Sequence, residues 1–239
     1  MSLLQTEGLT RTFGGIHAIE NLDFQVEPGP IQAVIGPNGA GKTTLFNLLS
    51  GLYQPSAGRV AFDGDDILGQ KPYQLARRGL GRTFQNLQVC HNMSALENVM
   101  IGRHLHLNGG LLPAMLRLPG LRRADAACRE KAAELMEFVG IGDYREAEAN
   151  AMPYGALKRL EIARALAAEP RLLLLDEPAA GLNPRETEEI GGIIRKIAES
   201  GVTVLLVEHD MKLVMGVAER ILVLDYGKKL AEGSAEEIR

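Results

Sequence analysis

A short apolar strand, a glycine-rich loop and a helix follow one another at residues 31–52, and this order constrains the fold most. The loop GPNGAGKTT, at 36–44, fits the pattern G-x-x-x-x-G-K-[ST], and the apolar run IQAVI precedes it. In such a loop the backbone N–H groups surround phosphate, and the positive end of the helix dipole faces it. The pattern therefore predicts a nucleotide phosphate site at the end of a buried strand.

The residues of this loop divide between phosphate binding and metal binding. Lys42 is expected to reach the β and γ phosphates, and the Thr43 hydroxyl to ligate Mg²⁺. The other predicted nucleotide contacts of the loop are Gly36, Pro37, Asn38, Gly39, Ala40, Gly41 and Thr44. One alternative is a glycine-rich turn with an incidental lysine. A dinucleotide-binding loop is weaker, because Thr44 stands where G-x-G-x-x-G needs its third glycine.

Two further apolar strands end in residues that are suited to phosphoryl transfer. RLLLLDEP, at 171–178, delivers Asp176 to the end of a strand, where open α/β sheets place ligands. Asp176 is expected to hold Mg²⁺ through water, while Glu177 points elsewhere and is free to deprotonate an attacking water. His209 follows the strand in TVLLVEHD and is expected at the same sheet edge. The alternatives are a strand-capping Asp-Glu-Pro turn and a structural histidine.

The order of strands and helices predicts an α/β fold. The first 30 residues indicate antiparallel strands, and apolar strands later alternate with helices, which is typical of a parallel sheet covered on both faces. Helix formers dominate from about 86 to 151. We therefore expect one domain with a nucleotide-binding core of about 1–85 and 156–239, which includes an antiparallel β sub-lobe, and an inserted helical sub-lobe of about 86–155. Asn183 is expected to cap a helix that begins at Pro184 and ends at Gly201.

Composition and charge exclude several classes of protein. The formal net charge of −4 over 239 residues gives no global basic field, so no nucleic-acid partner is expected. No apolar run reaches the roughly 18 residues of a membrane span, and no N-terminal signal pattern is present. Cys90 and Cys128 lack metal or redox spacing, and His104 and His106 have no carboxylate or cysteine at metal-ligand spacing.

These motifs resemble those of the ATP-binding subunit of ABC transporters, in their order and over essentially the whole chain. GPNGAGKTT is similar to the Walker A loop, and LLLLDEP to the Walker B strand with Glu177 as catalytic carboxylate. Gln85 in RTFQN resembles the Q-loop glutamine, and His209 the switch histidine. Phe13 in TRTFGG resembles the aromatic residue that stacks on adenine. The resemblance implies ATP and Mg²⁺, with Lys42, Gln85, Glu177 and His209 in the reaction and Thr43, Gln85 and Asp176 at the metal.

The segment AMPYGALKR resembles the family's signature sequence only in part. MPYGA stands where the family has L-S-G-G-Q, and Pro153 in place of serine removes a hydroxyl and an N–H. A helix is expected from Ala156 onward, with Tyr154 and Gly155 just before it. In this family that helix end contacts the ATP held by another subunit, which implies a homodimer or a heterodimer with a related ATPase. An ordinary glycine before an ordinary helix is the alternative.

The departures from the family pattern narrow the subfamily. The YG signature, RTFQN and LDEPAAGLNP together look like the ATPases of branched-chain amino-acid importers. This implies integral-membrane permease subunits, indirectly a substrate-binding protein, and a peripheral position at the cytoplasmic face of the inner membrane. Alternatives are a lipopolysaccharide-type exporter ATPase, a soluble ABC protein acting on ribosomes or DNA, and a nucleotide-binding scaffold without turnover. Asn183 stands where the family has an aspartate, in the segment called the D-loop. Segment 101–123 is interpreted either as a cover for the helical lobe or as a contact with the membrane subunit or bilayer.

Overall fold

The computed structural model describes residues 2–106 and 119–238. Its strands are β1 (Leu4–Phe13), β2 (Ile16–Val26), β3 (Ile31–Ile35), β4 (Ala57–Phe62), β5 (Asp65–Asp66), β6 (Leu80–Arg82), β7 (Leu172–Asp176), β8 (Thr203–Val207), β9 (Arg220–Asp225) and β10 (Lys228–Ser234). Its helices are α1 (Lys42–Leu49), α2 (Pro72–Arg77), α3 (Ala95–Gly102), α4 (Pro119–Phe138), α5 (Tyr154–Leu166), α6 (Pro184–Glu199) and α7 (Met211–Val217).

The chain divides into two compact units. The first comprises the residues up to Gln85 and those from Arg171 onward, and the second comprises Asn86–Pro170. The first boundary lies where the sequence analysis placed it, but the second lies after α5 rather than before it. The reason is packing: α3 contacts both α4 and α5, so α5 groups with the helical unit.

A six-stranded sheet forms the base of the first unit, in the order β10-β9-β3-β8-β7-β6. Its strands are parallel except for β10, which pairs antiparallel with β9. Every residue of β3, β7 and β8 is buried, which explains their continuous apolar sequences. Asp176 pairs with Val207 in register, so β7 and β8 end side by side. The expected parallel sheet is confirmed.

The antiparallel strands predicted for the first 30 residues, β1 and β2, form a second sheet of the first unit together with β4 and β5, in the order β2-β1-β4-β5. A buried apolar cluster contains residues from both sheets and from α1, including Phe24, Phe46 and Phe62. These three rings are almost completely buried. Helix α1 is therefore anchored by Phe46 in the core, which fixes the loop that precedes it.

The predicted limits of α6 are confirmed. The side chain of Asn183 accepts hydrogen bonds from the N–H groups of Arg185 and Glu186, and Pro184 occupies the first helical position. Gly201, just beyond the helix, has a φ of 92°. The buried face of α6 includes four isoleucines at helical spacing, Ile190, Ile193, Ile194 and Ile197.

The second unit is built from α3, α4, α5 and short 3-10 turns. Ser94 caps α3 through a reciprocal bond with Glu97, and Gly102 lets α3 approach the backbone of α5 at Arg164. The central part of segment 101–123, residues 107–118, lies outside the described residues, so its two interpretations remain open. Among the residues that the structure describes, no helix is long and apolar enough to cross a membrane.

Candidate functional site

The phosphate loop runs from the end of β3 to the start of α1. Gly41 precedes the helix with a φ of 102°, and a Cβ there would collide with the carbonyl oxygen of Ala18. Gly36 has a φ of 153°, and a Cβ there would collide with the carbonyl oxygen of Leu224. Both positions therefore require glycine, for conformation and for space. The first turn of α1 directs its N–H groups toward the loop, as a phosphate site requires.

Lys42 folds back over the loop that it belongs to. Its ammonium nitrogen donates to the carbonyl oxygens of Gly36 and Pro37, at 2.7 and 2.9 Å. Burial lowers the pKa of Lys42, while the carboxylates of Glu177 and Asp176 act in the opposite direction. The lysine is thus a buried cation whose charge is supported by the two carboxylates at the end of β7.

Asp176 is fixed by an arginine that the sequence analysis did not single out. Its Oδ2 lies 3.0 Å from Arg82 Nη2, and both side chains are almost completely buried. Arg82 also donates to Asn47 Oδ1 and Ser50 Oγ, which belong to α1 and its C-terminal end. The backbone N–H of Asp176 donates to Thr83 Oγ1 at 3.2 Å. Asp176 is therefore held from both its side chain and its backbone.

Glu177 lies between two of the other predicted reaction residues. Its Oε1 is 2.9 Å from His209 Nε2, and its Oε2 accepts a hydrogen bond from Gln85 Nε2 at 3.1 Å. The φ of Glu177 is +49°, a left-handed conformation that costs a non-glycine residue roughly 1–3 kcal/mol. The ends of β7 and β8 and the segment after β6 thus bring Glu177, His209 and Gln85 together. The sequence predicted the shared sheet edge of Glu177 and His209, but not the contact between Glu177 and Gln85.

These residues border one shallow cleft of about 260 Å³. The cleft is lined by the loop from Asn38 to Thr44 together with Ala18, Gln85, Glu177 and His209. Gly36 and Pro37 are not part of this lining, although their carbonyls accept hydrogen bonds from Lys42. A larger cleft of about 490 Å³ lies between α6 and α7, but it has no glycine-rich loop. Pockets that enclose a small molecule usually measure about 300–1,000 Å³, so the phosphate cleft is small for a nucleotide.

The predicted adenine-stacking residue lies at the end of β1. Phe13 is 39% exposed, and its ring meets that of Tyr53 edge to face, with 5.5 Å between centroids. The guanidinium of Arg11 lies 4.5 Å from the Phe13 centroid. The ring is therefore held in place by two neighbours while it stays accessible, which suits a stacking platform.

The signature segment differs in detail from its prediction. Helix α5 begins at Tyr154 with Pro153 as its N-cap, so Gly155 lies inside the first turn rather than before the helix. Pro153 has no N–H that would need a partner at this position, so it is compatible with a helix that begins at the next residue. Gly155 is buried, whereas Tyr154 is 46% exposed. Tyr154 therefore presents the larger surface at this helix end.

Comparison with known proteins identifies the family of this chain. The model of the ABC transporter family matches residues 19–180, which is more than half of the chain. The chain belongs to the ABC transporter family. It is 44% identical over 238 residues to the high-affinity branched-chain amino acid transport ATP-binding protein BraF of Pseudomonas aeruginosa, covering 99% of this chain and 93% of BraF. It is 42% identical, with the same coverage, to the protein of that description named LivG in Escherichia coli.

A solved relative shows the same architecture. The dimeric structure of the ATP-binding cassette MJ0796, in a post-hydrolysis state bound to ADP and Pi, superimposes with a TM-score of 0.82 and 26% identity. The match covers 97% of this chain and 98% of that one. The expected family and the expected ABC ATPase fold are both confirmed. The roles of individual site residues remain predictions.

Proposed function

We propose that this ABC ATPase supplies the energy for uptake of branched-chain amino acids through integral-membrane permease subunits. The observation that carries the ATPase assignment is Glu177, which is held between His209 and Gln85 at the edge of the phosphate loop. The substrate class is supported by BraF and LivG, both named for branched-chain amino acid transport. In this proposal the chain is peripheral at the cytoplasmic face of the inner membrane, with a substrate-binding protein on the other side.

The proposed chemistry is phosphoryl transfer from ATP to water. Glu177 orients the attacking water and takes its proton, while His209, at 2.9 Å from Glu177, contacts the γ-phosphate. Lys42 leaves the carbonyls of its own loop and stabilises the charge that develops on the phosphate, together with the N–H groups of the loop. Phe13 stacks on adenine without reading its hydrogen-bonding edge, so selectivity among nucleotides is loose.

The donor set of Thr43, Asp176 and Gln85 fits a magnesium ion. The Thr43 hydroxyl is exposed at the start of α1. The negative charges of Asp176 and Glu177 oppose the lowering of the Lys42 pKa by burial. Hydroxyl, carboxylate and amide oxygens are hard ligands of the kind that Mg²⁺ takes. Thr43, Asp176 and Gln85 would hold the ion, Asp176 through water. Bound Mg²⁺ would neutralise charge on the β and γ phosphates.

The open cleft supports a dimer in which each ATP is clamped between two chains. A site of about 260 Å³ leaves much of a nucleotide uncovered, and the dimeric cassette MJ0796 shows that a relative pairs. Tyr154 and Gly155 at the start of α5 then contact the ATP held by the partner. The partner is a second copy or a related ATPase subunit, and no nucleic acid takes part.

Deletion of the gene in its own organism tests the transport function. Uptake of labelled leucine, isoleucine and valine should fall, while uptake of an unrelated solute stays normal. A plasmid copy of the wild-type gene should restore uptake, and a Glu177→Gln copy should not. Normal uptake of all three amino acids after deletion would refute the substrate class. Restoration by the Glu177→Gln copy would refute the requirement for ATP hydrolysis.

A further inference from the structure

A buried carboxylate joins the two turns that carry Glu177 and His209. Glu208 follows the last residue of β8 and is only 4% exposed. Its Oε1 accepts the N–H of Ala179 at 2.7 Å, and its Oε2 accepts the N–H of His209 at 3.0 Å. One side chain thus ties the turn after β7 to the turn after β8.

The turn after β7 leaves an N–H group for this carboxylate to accept. The N–H of Ala180 donates to the carbonyl of Glu177 at 3.1 Å, which closes a four-residue turn with Pro178 and Ala179 at its centre. The turn itself uses neither central N–H, and Pro178 has none. The N–H of Ala179 would therefore be buried without an acceptor if Glu208 were absent, and such a group is costly.

The same turn carries the strained residue of the site. Glu177 has a φ of +49°, and such conformations persist only where the surroundings fix them. Two hydrogen bonds hold the backbone at Glu177 and just after it. Its own N–H donates to the carbonyl of Val207 at 2.9 Å, and the N–H of Ala179 donates to Glu208. Both acceptors belong to β8 or its end, so β8 fixes the backbone of Glu177.

We propose that Glu208 is a positioning residue for ATP hydrolysis, one that holds the turn of Glu177 at its working distance from His209. The inference rests on the proposed ATPase function. Glu208 is not among the described residues that line the cleft, so it acts through Glu177 and His209 and not on the nucleotide. Burial raises the pKa of Glu208, while bonds from the N–H groups of Ala179, His209 and Asp210 oppose that rise. These bonds therefore favour the charged carboxylate.

Glu208→Gln tests the inference with little change of shape. The amide keeps one acceptor oxygen, but its NH₂ group then faces an N–H donor of Ala179 or His209. We expect kcat for ATP hydrolysis to fall about 10–100-fold, because small displacements of a reacting group have effects of this size. The dissociation constant for a fluorescent ADP analogue should change by less than about twofold. The matched control is Glu237→Gln, which removes a carboxylate that accepts the N–H of Ser234 at 2.8 Å away from the cleft. Its kcat should equal that of the wild type.

A double variant separates positioning from general damage. If Glu208 acts through Glu177, adding Glu208→Gln to Glu177→Gln should change the single-turnover rate by less than about twofold. The same 10–100-fold loss in both backgrounds would overturn the proposal, as would a wild-type kcat in Glu208→Gln. If Glu208→Gln does not fold, Glu208→Asp decides. It keeps the charge but is one methylene too short to reach both N–H groups, so a normal kcat would overturn the proposal. A wild-type chain without ATPase activity would instead contradict the proposed function.

Discussion

The buried ion pair between Arg82 and Asp176 gives a quantitative test of how the site is held. Arg82→Met keeps most of the apolar stem but removes the guanidinium, which binds Asp176 at 3.0 Å and also bonds Asn47 and Ser50. The side chains of Arg82 and Asp176 are 6% and 2% exposed, so water replaces little of what is lost. We expect the variant to be strongly destabilised at neutral pH.

The expected size follows from the burial of both partners. Removing one member of a buried pair leaves an uncompensated charge and typically costs about 3–5 kcal/mol. Urea m-values of about 3 kcal/mol/M suit a chain of this length, so the midpoint of unfolding should fall by about 1–2 M. Adding Asp176→Asn to Arg82→Met should recover part of this loss, because the second change removes the stranded charge.

Urea unfolding followed by circular dichroism measures these shifts. The matched control is Arg171→Met, which breaks an ion pair with Asp63 that has similar geometry but about half-exposed side chains. Its midpoint should stay within the error of the measurement, since exposed pairs contribute little. Equal midpoint shifts for Arg82→Met and Arg171→Met would refute the reasoning, and so would a double variant no more stable than Arg82→Met alone.

Three further predictions concern the nucleotide, pH and the dimer. Phe13→Ala should weaken ATP binding about 5–100-fold through lost stacking, with a similar effect for GTP, as measured by equilibrium binding; a change for ATP alone would argue against loose selectivity. Burial raises the pKa of Glu208 above its ordinary 4.5, so the carboxyl of Glu208 stays protonated to higher pH in the folded protein than in the unfolded chain. The contribution of Glu208 to the free energy of unfolding therefore decreases as pH rises from 4.5 through the raised pKa. Glu208→Gln should therefore weaken the dependence of the free energy of unfolding on pH, as measured by urea unfolding. The same pH dependence in wild type and variant would count against a raised pKa of Glu208. Gly155→Glu and Lys42→Ala should each lose ATP-dependent dimerisation, and their mixture should partly regain it by light scattering because one composite site is intact; no recovery would contradict contact in trans.

Local sequence patterns predicted the phosphate loop and the ends of β7 and β8. These features depend on residues that are close in sequence, such as the glycines at 36 and 41, or on apolar strands that are buried on both faces. Parallel strands end at a common sheet edge, so placing Glu177 near His209 needed only the strand order. The limits of α6 followed equally from Asn183 and Pro184.

The partners of buried polar residues were not predictable in this way. Arg82 and Asp176 are 94 positions apart in the sequence. The short segment GRTFQ does not indicate on which face of β6 the side chain of Arg82 lies. Glu208 looks like a polar residue at a strand end, and only the tertiary structure brings it to the N–H of Ala179. Helix α5 joined the helical unit for a similar reason, since its contacts with α3 and α4 are distant in sequence.

ATP hydrolysis by Glu177→Gln tests the central claim most directly. The purified wild type and the variant are compared with Mg²⁺ and saturating ATP, and nucleotide binding is measured on the same preparations. Because the substitution removes the proposed base but leaves Lys42 and the phosphate loop, the variant should bind nucleotide normally and turn over at least about 100-fold more slowly. Hydrolysis by Glu177→Gln at the wild-type rate would contradict the account.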